Sequence, residues 1–165
     1  MASSGNATAG HVAGELFKMM AGVDMLHVPF RGTPAAQIAL FAGDAQVMFD
    51  PIPSSINHIK ADKLRALAVT SPRRTEALPD VPAMADFLPG FEANGWQGIG
   101  VPKNTPADII EKLNMEINAG LANPTMQARI ANLGATLLPI SPAELGQLIA
   151  TDTEKWAKAV RFAGI

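Results

Sequence analysis

The chain has no cysteine. Disulfides, thiolate metal sites and cysteine nucleophiles are therefore excluded, although the compartment is not decided by that absence. No run of about 18 apolar residues is present, so no membrane span is expected. No basic segment followed by an apolar stretch opens the chain, so nothing in it reads as a signal peptide. Charge of one sign is also missing. The formal net charge is −2, which excludes a broad electrostatic footprint for nucleic acid or an anionic membrane. An anion would have to be held locally, by backbone dipoles and a few side chains.

What is present is an ordinary globular composition. The 165 residues suffice for one domain with a sizeable core, and 48% hydrophobic against 17% charged residues argues against disorder. The first seventeen residues are the most informative. A loop of small and hydroxylated residues, Ser3 to Thr8, runs directly into an amphipathic helix carrying Val12, Leu16, Phe17, Met19 and Met20. Thr8 or Ser4 is placed to cap it, and Gly22 to end it. Met25–Val28 predicts a strand stopped by Pro29. Gly32-Thr33-Pro34 predicts a turn opening a helix to Ala42, and Ala45–Phe49 a second strand. A helix from Pro51 to about Ala61 and an apolar strand over Leu64–Thr70, covered on both faces, follow. This alternation predicts an α/β fold with a mostly parallel sheet.

Four prolines then punctuate residues 71–89, with one helical turn expected near 83–87, and 91–101 predicts an extended run with three glycines. Beyond Pro102 the character is helical. Thr105 with Pro106 opens a helix to about Ala122, with Ile109, Ile110, Leu113, Ile117 and Leu121 as its apolar stripe. Pro124 opens a shorter helix to Leu133, and 135–138 predicts a brief strand. Ser141-Pro-Ala-Glu144 matches a capping box for a last helix toward Phe162.

The candidate chemistry is an anion site. Loop 3–8, including Ser4, Gly5, Ala7 and Thr8, reads either as a carboxylate or phosphate cradle at a helix N-terminus or as an ordinary capped helix start. It lacks the pattern of a P-loop or a dinucleotide fingerprint. Thr33, Pro34 and Ala35 form a second small-residue turn before a helix, on the same open side of a doubly wound lobe. Asp50, directly after an apolar strand, reads either as a ligand contact or as the cap of the following helix. Trp96 reads as a buried aromatic or as one lining a cleft. His11, His27 and His58 have no metal-ligand spacing. His27 and His58 read as structural or exposed, and His11, one turn inside the first helix, is placed to hold the loop in shape. No cofactor is expected.

In order, these stretches resemble the Bug-type extracytoplasmic solute receptors of tripartite tricarboxylate transporters. The likeness lies in Ser3–Thr8 with His11–Phe17, His27-Val-Pro-Phe-Arg-Gly32, Val47-Met-Phe-Asp50, Leu64–Val69, Leu78-Pro-Asp-Val-Pro82, Gly90-Phe-Glu with Trp96, and Val101–Pro106. The resemblance implies a type II periplasmic binding protein of two lobes. Residues 1–101 would be one complete lobe with the crossing strand, and 102–165 a return segment of a partial second lobe. It implies a small organic carboxylate as ligand, membrane transporter subunits as partners, and a periplasmic parent. Gly5, Ala7 and Thr8 match the first anion loop, Thr33, Pro34 and Ala35 the second, and Asp50 a polar position of the cleft wall.

Two positions depart from the family pattern. Ala7 stands where the family usually has glycine, and Phe30 where it often has an aromatic hydroxyl. Against the longer family members Met1 reads as the start of a truncated gene product or an expression fragment. The apolar stripe 109–121 is then expected to be buried against the first lobe's neighbour or a second copy, with self-association as the result. Two rival readings stand beside the receptor. One is a small α/β enzyme with Asp50 as base and loop 3–8 as oxyanion site; the other is a fragment without binding activity.

Overall fold

A computed structural model describes all 165 residues. Its elements run β1 (Ala2–Ser3), α1 (Ala9–Ala21), β2 (Val28–Pro29), α2 (Thr33–Ala42), α3 (Ile52–Lys60), a 3-10 turn at Met84–Asp86, α4 (Ala107–Leu121), α5 (Pro124–Asn132) and α6 (Pro142–Ala163). All six helices expected from the apolar spacing and the proline and glycine punctuation are present. The strands are shorter than expected. β1 pairs in parallel with β2, Ala2 opposite Val28 and Ser3 opposite Pro29. On its other side a single parallel bridge joins Ala2 to Met48, where the Ala2 N–H donates to the Val47 carbonyl at 2.8 Å.

β1 is thus the central strand of the parallel arrangement, and it is only two residues long. Its fully buried Ala2 and Ser3 had no alternation by which to announce themselves. Pro29 ends β2 after two residues, since proline removes a ladder donor. The run 64–70 differs more. It makes one bridge, Val69 to Ala83, and Leu67 is 62% exposed. Its backbone is met by residues 82–84 and, at Thr70, by the Ala93 N–H at 3.0 Å, so it is not the doubly covered strand its composition suggests. Residues 91–101 and 135–138 are extended without ladder pairing.

Three small groups form the core. Ala2, Ala36, Ala39 and Ala45 lie where α2 covers the strands. Phe91, with Ala13 and Ala93, is packed by Leu16, Phe17, Phe49 and Trp156, which joins α1 to the extended run and to α6. Val69, Leu78 and Ala83 pack against Ile52 and Ile59 of α3. Alanine and glycine let the layers approach closely. A Cβ at Gly10 would lie 2.3 Å from the Phe49 carbonyl oxygen, so the first turn of α1 rests directly on backbone. At Gly134, φ is +74° and a Cβ would sit 2.4 Å from Ile52, which places the end of α5 against α3.

α6 is the element that ties the helical part to the rest. It packs along α1, buries Ala159, and carries Lys155, whose Nζ is 3.7 Å from Glu92 Oε1. Trp96 is 39% exposed and donates from its indole N–H to Asp152 of α6 at 2.7 Å. The capping box of α6 forms as expected. The Glu144 N–H donates to Ser141 Oγ at 3.2 Å, and the Ser141 N–H to Glu144 Oε2 at 2.7 Å. α4 has no such anchor. Its N-cap is Pro106, Thr105 having turned its hydroxyl to the Pro102 carbonyl, and none of its residues is buried. The stripe expected to be covered leaves Ile109 46% and Leu113 41% exposed within the chain.

Candidate functional site

Three connections leave the same ends of the parallel strands: loop 4–8 after β1, residues 30–32 after β2, and Asp50 after the stretch paired to Ala2. The first two are joined. The Phe30 N–H donates to the Ser3 carbonyl at 3.0 Å and the Gly32 N–H to the Ser4 carbonyl at 3.1 Å. The third lies under α1, where Phe49 meets Gly10.

Loop 4–8 leaves a helix end open. Thr8 occupies the N-cap position of α1 but does not cap it. Its Oγ1 donates to the Gly5 carbonyl at 2.8 Å instead. The N–H groups of Ala9, Gly10 and His11 consequently find no acceptor in the chain, and neither does that of Asn6. α2 starts in the same state. Gly32 is its N-cap and offers no side chain, Pro34 has no N–H, and the N–H groups of Thr33 and Ala35 are unpaired. Two uncapped helix N-termini therefore stand side by side, tied through Ser4 and Gly32. Unpaired donors and the positive dipole ends both favour an anion there.

A polar network beneath the loop gives it its shape. Ser3 Oγ lies 2.6 Å from His27 Nε2, accepts the Gly5 N–H at 3.2 Å and reaches the Gly5 carbonyl at 3.0 Å. The His27 ring stacks on the buried His11 with centroids 3.6 Å apart and planes within 9°. His11 Nδ1 accepts the Ala7 N–H at 3.0 Å. That bond holds Ala7 at φ 57°, a left-handed conformation costing an alanine about 1–2 kcal/mol. Nδ1 is thus the unprotonated nitrogen, and Nε2 faces Glu15 Oε1 at 3.7 Å. Glu15 is itself buried and paired with Lys18 at 3.1 Å. Burial lowers the pKa of both histidines below the ordinary 6.5; Glu15 opposes this, and Lys18 adds to it.

Asp50 does not cap α3, whose N-cap is Pro51. Its Oδ2 accepts Gln37 Nε2 at 2.8 Å and a very short bond from the Ser55 hydroxyl. It clamps α2 to α3, and its buried Oδ1 has no partner. Of the sequence-derived residues, Ser4, Gly5, Ala7 and Thr8 lie on the loop before α1, Thr33, Pro34 and Ala35 form the first turn of α2 rather than a loop, and Asp50 lies on the adjoining strand end. His58 stands apart, edge-on to Phe41. Sequence reasoning missed Ser3, His27, Gln37 and Ser55. Gln37 had a signal, being a polar residue between Ala36 and Ala39 on an apolar helix face. The stack of His27 on His11, sixteen residues away, had none. No group of metal-ligating side chains is assembled, and no helix is long and apolar enough to cross a membrane.

Comparison with known proteins gives the family and the fold. The sequence model described as "Tripartite tricarboxylate transporter family receptor" matches residues 1–165. A protein from the tcbD-tcbE intergenic region of Pseudomonas sp. strain P51 is 40% identical over 161 residues, 96% of this chain and 48% of its own length. Another, from the clcB-clcD intergenic region of Pseudomonas knackmussii, is 35% identical over 159 residues, 95% of this chain and 94% of its own length. Apart from the latter, the chain spans about half the length of the curated relatives it matches. Among solved structures, an R. palustris protein with adipate has a TM-score of 0.92 at 30% identity, covering 99% of this chain and 55% of that one. The periplasmic binding protein BugD has 0.88 at 34%, covering 99% and 56%. MatC from Rhodopseudomonas palustris with bound malate has 0.85 at 29%, covering 96% and 55%. The fold is therefore that of about half a periplasmic binding protein, and the chain belongs to the tripartite tricarboxylate transporter receptor family.

Proposed function

We propose that this chain is a binding module for a small organic carboxylate, which a tripartite tricarboxylate-type transporter then takes up. The observation that carries the reading is the pair of uncapped helix N-termini joined through Ser4 and Gly32. Ser4, Gly5, Ala7 and Thr8 form one side of the site, and Thr33, Pro34 and Ala35, the first turn of α2, the other. Asp50 stands behind the wall as the clamp of α2 to α3, its buried, unpaired Oδ1 suited to an enclosed water that meets the ligand. Relatives solved with adipate and with malate support the ligand class. The role is non-catalytic: no histidine or lysine stands beside Asp50 to activate it as a base, its partners being Gln37 and Ser55. Residues 1–101 form the ligand-binding lobe and 102–165 the return segment of the other lobe. The parent protein is periplasmic, as its relative BugD is.

Calorimetric titration with malate, adipate and citrate tests this. Saturable binding without product is the expected result; turnover, or no binding by any acid, overturns it. Ala9→Pro isolates the helix end. Proline suits the first helical position, so the fold is kept while one unpaired N–H is removed. Affinity is expected to fall about tenfold, the effect of one charge-assisted hydrogen bond.

The exposed stripe of α4 supports a second contact. Ile109 and Leu113 pair with a second copy of the chain, covering apolar surface that nothing within the chain covers. Light scattering is expected to show a dimer that Leu113→Glu dissociates; a strict monomer at high concentration overturns this.

A further inference from the structure

We propose that His11 is a positioning residue for the anion loop and holds it open only in the neutral, Nδ1-unprotonated form. The Ala7 N–H has one acceptor in the chain, His11 Nδ1 at 3.0 Å. A protonated imidazole carries N–H on both nitrogens and cannot accept. On protonation the Ala7 N–H loses its partner, and the strained φ of 57° loses the bond that holds it. The peptide preceding the open end of α1 then relaxes, and the donors of Asn6, Ala9 and Gly10 are no longer presented together. A glycine would hold that φ without the bond; alanine at position 7 makes the chain dependent on it.

The surroundings set the direction. His11 is stacked face to face on His27 at 3.6 Å, so a charge on either ring opposes a charge on the other. From α1 itself Glu15, 3.7 Å from His11 Nε2, favours the charged ring, and Lys18, paired with Glu15, opposes it. From β1 the Met1 amine disfavours charge on His27; from α6, packed along α1, no charged group contributes at either ring. Glu15 is already committed to Lys18, and burial pushes both rings toward neutrality. His27 does not share the role. Its Nε2 faces Ser3 Oγ, a hydroxyl that serves equally as acceptor, so protonating His27 leaves that bond intact. The device therefore resides in one nitrogen of one ring.

The inference rests on the binding reading only for its consequence, and the experiment separates the two. The backbone amide of Ala7 and the ring nitrogens of His11 are followed by nitrogen-resolved NMR on the full chain from about pH 7.5 to 4.5, the range in which histidine titrates. The Ala7 amide is expected to shift with the same midpoint as His11 Nδ1. In His11→Asn, whose side-chain oxygen replaces Nδ1 as an acceptor that does not titrate, the Ala7 amide is expected to stay unshifted. An Ala7 amide that ignores the titration of His11 in the wild-type chain overturns the proposal whether or not the variant folds. Malate affinity is then compared between wild type and variant at each pH, which cancels the protonation of the acid. The wild type is expected to lose about tenfold relative to His11→Asn at the acid end. A constant ratio overturns the link to the loop. Coupled titration with no malate bound by either protein supports the positioning role and removes the receptor reading.

Discussion

α1 and α4 are written in the same hand and end in different situations. Each is an amphipathic helix of three to four turns with a continuous apolar stripe. In α1 five consecutive residues, His11 to Glu15, are buried, while α4 buries none. α1 lies between strand backbone at Phe49, close enough that Gly10 has no room for a Cβ, and α6 on its other flank. α4 packs against α5 and part of α6, and Asn114 ties it to the Ile140 carbonyl at 2.9 Å. An apolar stripe states that a helix needs a partner; it does not say whether the chain supplies one.

Five substitutions break or sharpen that contrast, each measured by denaturant unfolding. The largest effect is expected at Phe91, 1% exposed in the cluster that joins α1 to α6. Phe91→Ala should cost about 3–5 kcal/mol. Gly10→Ala comes next, at about 1–3 kcal/mol, because the new methyl meets the Phe49 carbonyl rather than a movable side chain. Leu113→Ala on α4 should cost under about 1 kcal/mol at concentrations dilute enough to keep the chain monomeric, in keeping with its exposure within the chain. A cost near that of Phe91→Ala under those conditions would show that the chain itself covers α4 and would abolish the contrast. Gly120→Ala and Gly146→Ala, with open space around each Cβ, should stabilise α4 and α6 by about 0.5–1 kcal/mol apiece.

Acid separates α1 from the start of α6 by pH window, stability falling with pH at both. His11 and His27 have pKa values below 6.5 in the folded chain, so the unfolded chain binds more protons just under that pH. Their contribution is fully present above 6.5 and is lost as pH falls through their folded values. Glu144, at the start of α6, is held below the ordinary 4.5 by hydrogen bonds from Ser141. Its contribution persists above 4.5 and is lost only below. A two-step acid titration of stability is the expected outcome, the first step vanishing in a His11→Asn, His27→Asn double variant.

The helices were legible because each rests on local rules. Proline at a first turn, glycine at a C-cap and apolar residues three and four apart located all six. The strands were not, since two-residue strands have no period to read. β1 is a strand only because Val28, Phe30 and Ala2 exchange hydrogen bonds with distant partners. The loops of the candidate site were legible as small residues before helices. Their openness was not. Thr8 is a good cap by type, and whether its hydroxyl turns to the helix or to Gly5 is decided by the loop's path over Ser3 and His27. Asp50 shows the same limit: a cap by position, it is a clamp in fact because Gln37 and Ser55 converge on it.

By itself, then, the sequence determined what short-range chemistry can determine. That comprises the order and length of the helices, the two small-residue turns, the placement of His11 one turn into α1, and a net charge of −2, whose sign leaves anion binding to local donors. Tertiary structure decided which donors stay free, which amphipathic face is covered, and which histidine stacks on which. The physical reason is range. Helix formation and capping are settled within four residues. Burial, strand pairing and the satisfaction of a polar group depend on atoms that only the folded chain brings within hydrogen-bond distance.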